Sequence, residues 1–129
     1  MLLLRGYAPA EFFSKLLGSA AEKLRLALTL LDIPRNVPLG LKSIATIQKN
    51  MKWKDLADAI VQSRNYLVHP TQSRSGKRRA TRDLPWYELW IGAQWLLELV
   101  ILRLLGYTGS YHNRTKFKEV NRIDRVPWP

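Results

Sequence analysis

The sequence predicts an all-α fold, a small bundle of about four to five helices with a basic loop and an extended C-terminal tail. Three observations predict it. The 129 residues suit one domain, 1–129, and a hydrophobic content of 47% is enough to bury a core at that length. Apolar residues recur at steps of three and four through most of the chain. Prolines and glycines fall between these periodic segments, where helices have to stop.

The first helix is expected to start near Pro9. Phe12, Phe13, Leu16, Leu17, Ala20, Leu24, Leu28 and Leu31 form its apolar stripe, which ends near Asp32. Pro34 and Pro38 then break the pattern, since neither can continue a helix. A shorter helix is expected from Leu41 to about Lys49, with Ile44 and Ile47 facing inward.

A third helix should begin near Trp53, with Leu56, Ala57, Ile60, Val61, Leu67 and Val68 as its apolar face. Pro70 disfavours the α conformation at His69, so the helix is expected to end there. Residues 70–83 read as a loop rich in Ser, Thr, Arg and Lys. The fourth helix is capped by Asp83 or Leu84, with Pro85 in its first turn. It is apolar almost all round, from Trp86 to Leu104, and so must cover more than one face: it is either central to the bundle or shared with a second subunit. Gly106 is its C-terminal stop. Residues 107–129 read as an irregular tail, with a short strand over Thr115–Val120 as the one regular element expected there.

Charge narrows the function. Lys and Arg number 21 against 10 Asp and Glu, a net charge of +11. Such a balance is the electrostatic footprint of a nucleic-acid binder, although docking on an acidic protein would use the same charge. Residues 34–69 carry +4, the loop 70–83 another +4 and the tail 107–129 +3. The positive field thus converges on the end of the third helix.

There are no cysteines, which removes disulfides and thiolate chemistry, and no HExxH spacing; neither a metal nor a cofactor is expected. The opening Met1-Leu2-Leu3-Leu4-Arg5-Gly6 is too short for a signal peptide. The apolar run from Leu84 to Leu105 carries Glu88, Gln94, Glu98 and Arg103, which a lipid-exposed span would hold only at a cost of a few kcal/mol each. A membrane partner is therefore not expected, and the cytoplasm is the expected compartment.

One constellation carries chemistry. Arg64, Asn65 and His69 stand at the end of the third helix. At about 100° per residue, Asn65 and His69 share a face one turn apart, and the long side chain of Arg64 reaches from the flank. Metal-free RNA cleavage needs a base for the 2′-hydroxyl, an acid for the leaving 5′-oxygen and a cation for the charge growing on phosphorus. Histidine can be either acid or base near neutrality. Arginine presents a planar fork matched to phosphate oxygens. One such histidine per chain falls short of two proton-transfer roles, and a symmetric homodimer supplies the second. The bland reading of the same residues is that cations near a helix C-terminus complement its dipole.

The segment Gln62-Ser63-Arg64-Asn65-Tyr66-Leu67-Val68-His69-Pro70, an Arg-x4-His pattern with a polar residue after the arginine, resembles the signature of the HEPN superfamily. The order of motif helix, variable loop and long apolar helix matches that family. The stretch from Leu104-Leu105-Gly106-Tyr107 to Val126-Pro127-Trp128 is similar to the C-terminal HEPN domains of bacterial anti-phage effectors. The resemblance implies a helical bundle and a metal-independent endoribonuclease in toxin or antiviral defence, with two motifs facing each other across a dimer cleft. Arg64 and His69 carry over as catalytic and Asn65 as the supporting polar residue. It also implies RNA as substrate, and a cognate antitoxin or larger effector region as partner. Two departures stand beside it. Family toxins silenced by nucleotidyl transfer carry a tyrosine two positions after the histidine, where this chain has Thr71; and the large N-terminal region of the effectors has no counterpart in these residues. The alternative is a non-catalytic HEPN-like module that binds RNA or nucleotide, or that assembles with a partner.

Arg74, Lys77, Arg78, Arg79 and Arg82 are the candidate RNA-tracking residues of the loop, which could equally be a solvated turn. Tyr66 and the five tryptophans read as packing, and His112 as a surface histidine rather than a second acid. Asp55 and Asp58, three apart on the third helix, read as a solvated face.

Overall fold

A computed structural model describes residues 18–68 and 83–129, and they are mostly helical. Helix α1 spans Ala20–Leu30, α2 Lys42–Met51, α3 Leu56–Val68 and α4 Trp86–Leu104; a two-stranded sheet of β1, Ser110–His112, and β2, Ile123–Arg125, follows. Among the described residues the chain is thus mainly helical, with four helices, but not all-α, since a small sheet follows them.

Helix α1 starts later than its apolar stripe suggests. Gly18 has a left-handed φ of +71° and Ser19 is extended, so the backbone is not helical there. Ser19 and Glu22 instead form a reciprocal capping box, each side chain accepting the other's backbone N–H at 3.3 Å. Phe12, Phe13, Leu16 and Leu17 lie outside the described residues. Helix α2 falls where the sequence places it, with Ile44 fully buried and Ile47 half-buried.

Helix α4 is the central element: Leu89, Ile91, Trp95, Leu96 and Leu99 are buried in the core. Its N-cap is Pro85, not Asp83 or Leu84; a proline has no side-chain acceptor, and the cap makes no side-chain hydrogen bond. Glu88 in its first turn is buried because its carboxylate serves another helix. Its Oε1 accepts the N–H of Ser43 at 2.9 Å and of Ile44 at 3.1 Å, satisfying orphan donors at the start of α2. At the other end Gly106, φ +71°, closes a Schellman turn: Gly106 N donates to Arg103 O and Tyr107 N to Leu102 O.

The residues after Tyr107 are ordered by side-chain bonding more than by apolar pattern. The strand expected over Thr115–Val120 does not form, because Asn113 caps a single 3-10 turn over Arg114–Lys116. Its Oδ1 accepts the backbone N–H of Thr115 at 2.9 Å and the Thr115 hydroxyl at 2.7 Å. The strands form on either side of this turn, antiparallel, with Tyr111 opposite Asp124. Val126 and Trp128 then return to the core, where Trp128 Nε1 donates to Tyr107 O at 2.8 Å. The turn presses on Gly40, where a Cβ would lie 1.8 Å from Thr115 O.

Among the described residues no helix is long and apolar enough to cross a membrane.

Candidate functional site

Helix α3, which carries the Arg64–Asn65 pair, is fixed at its start by an ion-paired cluster. Arg25 of α1 donates through Nε to Asp55 Oδ2 at 2.8 Å and through a terminal nitrogen to Asp58 Oδ1 at 2.9 Å. The other oxygens are also used: Asp55 Oδ1 accepts the N–H of Asp58 at 2.9 Å, and Asp58 Oδ2 that of Lys54 at 2.8 Å. Asp55 thereby caps the helix, and both carboxylates lie near its positive end. Asp55 and Asp58 are 7% and 8% exposed, which overturns their reading as a solvated face. A charge in that position needs a partner, and spacing along the chain does not point to Arg25, thirty residues from Asp55.

From this anchor α3 buries Leu56, Ala57, Ala59 and Ser63, with Tyr66 packed against the core. Arg64 is exposed and makes no ion pair among the described residues; Asn65, next along, is half-buried. Leu67 and Val68, expected on the apolar face, are instead 63% and 49% exposed. The inward face runs through Ser63 and Tyr66, so Arg64, Leu67 and Val68 share the outward one. His69 and the loop cations Arg74, Lys77, Arg78, Arg79 and Arg82 lie outside the described residues. The structure therefore places two of the three motif residues on one helical turn at the surface, with the guanidinium open to an anionic ligand.

Two further features, elsewhere in the fold, were not legible in the sequence. Lys42, Lys116 and Lys118 line a recess of about 180 Å³ beside Gly40 and Thr115. Lys116 bonds Asp124 Oδ1 at 2.7 Å, which raises the lysine pKa. Burial works to raise Asp124, but the bonds from Lys116 and Asn113 outweigh it and hold this carboxyl below its ordinary value. His112 is exposed on β1, as expected of a surface histidine, and stands at a shallow cavity of about 270 Å³ with Glu98, Tyr111 and Arg114. Burial raises the Tyr111 phenol, against the opposing bond from Trp95 Nε1. Among the described residues no three His, Cys, Asp or Glu side chains come together as a metal site would require.

Residues 7–124 match the model of the YopA C-terminal domain. The chain belongs to that family. The matched stretch includes the whole Arg64–His69 segment and the four helices found among the described residues. Over 114 residues it is 35% identical to an uncharacterized SPbeta prophage-derived protein, YopA, of Bacillus subtilis strain 168. The match covers 85% of this chain and 23% of the relative, so the chain spans about a quarter of that protein's length. No solved structure matches it.

Proposed function

We propose that this domain is a metal-independent endoribonuclease of the HEPN type, acting as a homodimer in which Arg64, Asn65 and His69 of two chains surround one scissile phosphodiester. The observation that carries the reading is Arg64: an exposed guanidinium with no ion pair among the described residues, on the last described turn of α3 and five positions before a histidine. Its setting in a chain of net charge +11 suits a polyanionic substrate.

In this reading one His69 takes the proton of the ribose 2′-hydroxyl, and the 2′-oxygen attacks phosphorus. The bond to the 5′-oxygen breaks, and the His69 of the second copy supplies the proton that oxygen needs. The products are a 2′,3′-cyclic phosphate and a free 5′-hydroxyl. Arg64 holds the charge developing on the phosphoryl oxygens, and Asn65 orients the imidazole or the phosphate. The loop cations Arg74, Lys77, Arg78, Arg79 and Arg82 track the flanking backbone. The prophage origin of the YopA relative fits a toxin or an anti-phage role. A larger region of the kind that makes up the rest of that relative, or a separate antitoxin, would restrain the activity.

The test is incubation of the pure chain with RNA in the presence of a chelator. Cleavage leaving cyclic phosphate ends is expected from the wild type. His69→Ala should abolish it with RNA binding retained, and Arg64→Ala should slow it about a hundred- to a thousandfold. A substrate with 2′-deoxyribose at the cut site should be inert. Undiminished cleavage by His69→Ala refutes the mechanism.

One observation favours a second reading. Leu67 and Val68, exposed beside Arg64, give the same turn the apolar surface of a docking site, which suits a non-catalytic HEPN-like module that binds RNA or a protein partner. Wild-type protein that binds RNA but leaves it intact would select that reading.

A further inference from the structure

Helix α4 buries one side in the core, yet its opposite side is also apolar. Tyr87, Trp90, Leu97, Ile101 and Leu104 are between 48% and 70% exposed. With half-buried Gln94 they follow one another at steps of 3, 4, 3, 4 and 3, and so lie within about 100° of arc along the whole helix. Scattered exposed apolar residues are ordinary on a protein surface; an unbroken stripe of them marks a contact face.

The identity of the residues says what the stripe fits. Written as heptads, Tyr87, Gln94 and Ile101 occupy the a positions and Trp90, Leu97 and Leu104 the d positions. A β-branched residue at a, leucines at d and one polar residue at a central a is the combination that favours two parallel strands in register. Gln94 is the polar member, and its Oε1 is buried without a hydrogen-bond donor among the described residues. Turned outward opposite a second Gln94, that amide would gain the partner it lacks. At about 200 Å² for a large side chain, half to two-thirds exposed, the stripe offers roughly 600–700 Å² per copy. That is close to the about 800 Å² per partner of a standard interface. None of the six stripe residues is charged, so contact along it sets no like charges of the stripe against each other in a chain of +11.

We infer that this stripe is the docking face for a second copy of the chain, α4 against α4, parallel, about a two-fold axis running along the helix pair. Packing of this kind crosses at about 20°. An axis in that direction keeps each residue and its copy at the same height, so the two Arg64 side chains lie at one level. The inference is argued from the stripe alone. A dimer that leaves RNA intact sinks only the proposed cleavage, and a dimer that survives loss of the stripe sinks only this face. A chain of single mass sinks both, so mass and product ends tell the failures apart.

Light scattering on the eluting 129-residue chain at micromolar concentration should give twice the mass of one chain. Raising the salt should preserve or strengthen the dimer, since screening relieves the repulsion between copies. Leu97→Lys with Ile101→Lys should return the mass to one chain, with the helical circular dichroism unchanged. The chain has no cysteine, so Leu97→Cys introduces a single one; on oxidation it should cross-link two copies. A wild-type chain that stays at single mass overturns the inference and leaves the face to another segment or protein. So does a dimer that survives the double lysine variant. A mixture of Trp90→Cys and Ile101→Cys chains that cross-links while Leu97→Cys does not would overturn the parallel register.

Discussion

Removing the Arg25 guanidinium tests how α3 is held. Arg25→Ala deletes charge-assisted bonds of 2.8 and 2.9 Å to Asp55 and Asp58. Bonds of that kind contribute about 1.5–3 kcal/mol each. It also strands two carboxylates that are 7% and 8% exposed. Breaking one side of a buried pair costs roughly 3–5 kcal/mol. Two backbone donors, the N–H groups of Lys54 and Asp58, remain on these carboxylates and offset part of the loss. The expected cost is therefore about 3 kcal/mol, near the lower end of the range for a buried pair. For a chain of this size that lowers the melting temperature by about 10–15 °C. Thermal melts followed by circular dichroism read it directly, with Lys23→Ala, at an exposed position, as a control expected within about 0.5 kcal/mol of wild type. Arg25→Lys should fall between, since one ammonium cannot present two fixed nitrogens to two carboxylates. If Arg25→Ala melts within about 3 °C of the control, the cluster is not what anchors α3.

Other perturbations address the elements around that anchor. Glu88→Gln keeps the shape of the α2 cap but removes its charge, and should cost about 1–2 kcal/mol in urea unfolding, the range of a capping interaction. Gly40→Ala sets a methyl 1.8 Å from a backbone carbonyl that has no flexible end to move, so amide shifts should spread through residues 113–117 and stability should fall. Acid and base should both loosen the sheet. The lowered Asp124 contributes stability that is present above its unfolded value, about 3.9, and lost as pH falls through the still lower folded value. The raised Lys116 contributes stability that is present below its unfolded value, about 10.4, and lost as pH rises through the higher folded value. The contribution of this pair should therefore be flat between these limits; the acid loss should be smaller in Asp124→Asn, and the alkaline loss smaller in Lys116→Met, as read by chemical unfolding.

The helices were legible in the sequence wherever apolar spacing decided the outcome. Ile44 and Ile47 marked α2, and Trp86 to Leu104 marked α4, because a three-four repeat has one regular solution. Legibility failed where a polar bond outweighed periodicity. The stripe through Phe12 and Leu16 runs on into α1 without a break, yet the Ser19–Glu22 capping box starts the helix at Ala20. Asp55 and Asp58 look solvated until Arg25 arrives from another helix, which spacing along one helix cannot reveal. Asn113 turns the chain through short-range bonds and places the strands on both sides of the segment where Thr115–Val120 suggested one. The motif was legible as residue types, and the exposed Arg64 and half-buried Asn65 follow from the inward face running through Ser63 and Tyr66. Exposure at Leu67 and Val68 was not, since an apolar residue carries no label for which side it will take.

The return of Val126 and Trp128 to the core has a consequence for how the domain comes into being. Trp128 stacks under Arg103, which pairs with Asp32, and Pro127 and Pro129 wall a cleft whose far side is Thr29 to Asn36. The Thr29–Asn36 side and the Pro127–Pro129 side are more than ninety positions apart in the sequence, so one contact joins widely separated segments. Bringing them together closes a long loop, an entropy cost that the buried tryptophan and its neighbours offset. Closure of this domain thus depends on a contact between distant segments, and a chain cut before Val126 should leave that end of α1 open to solvent.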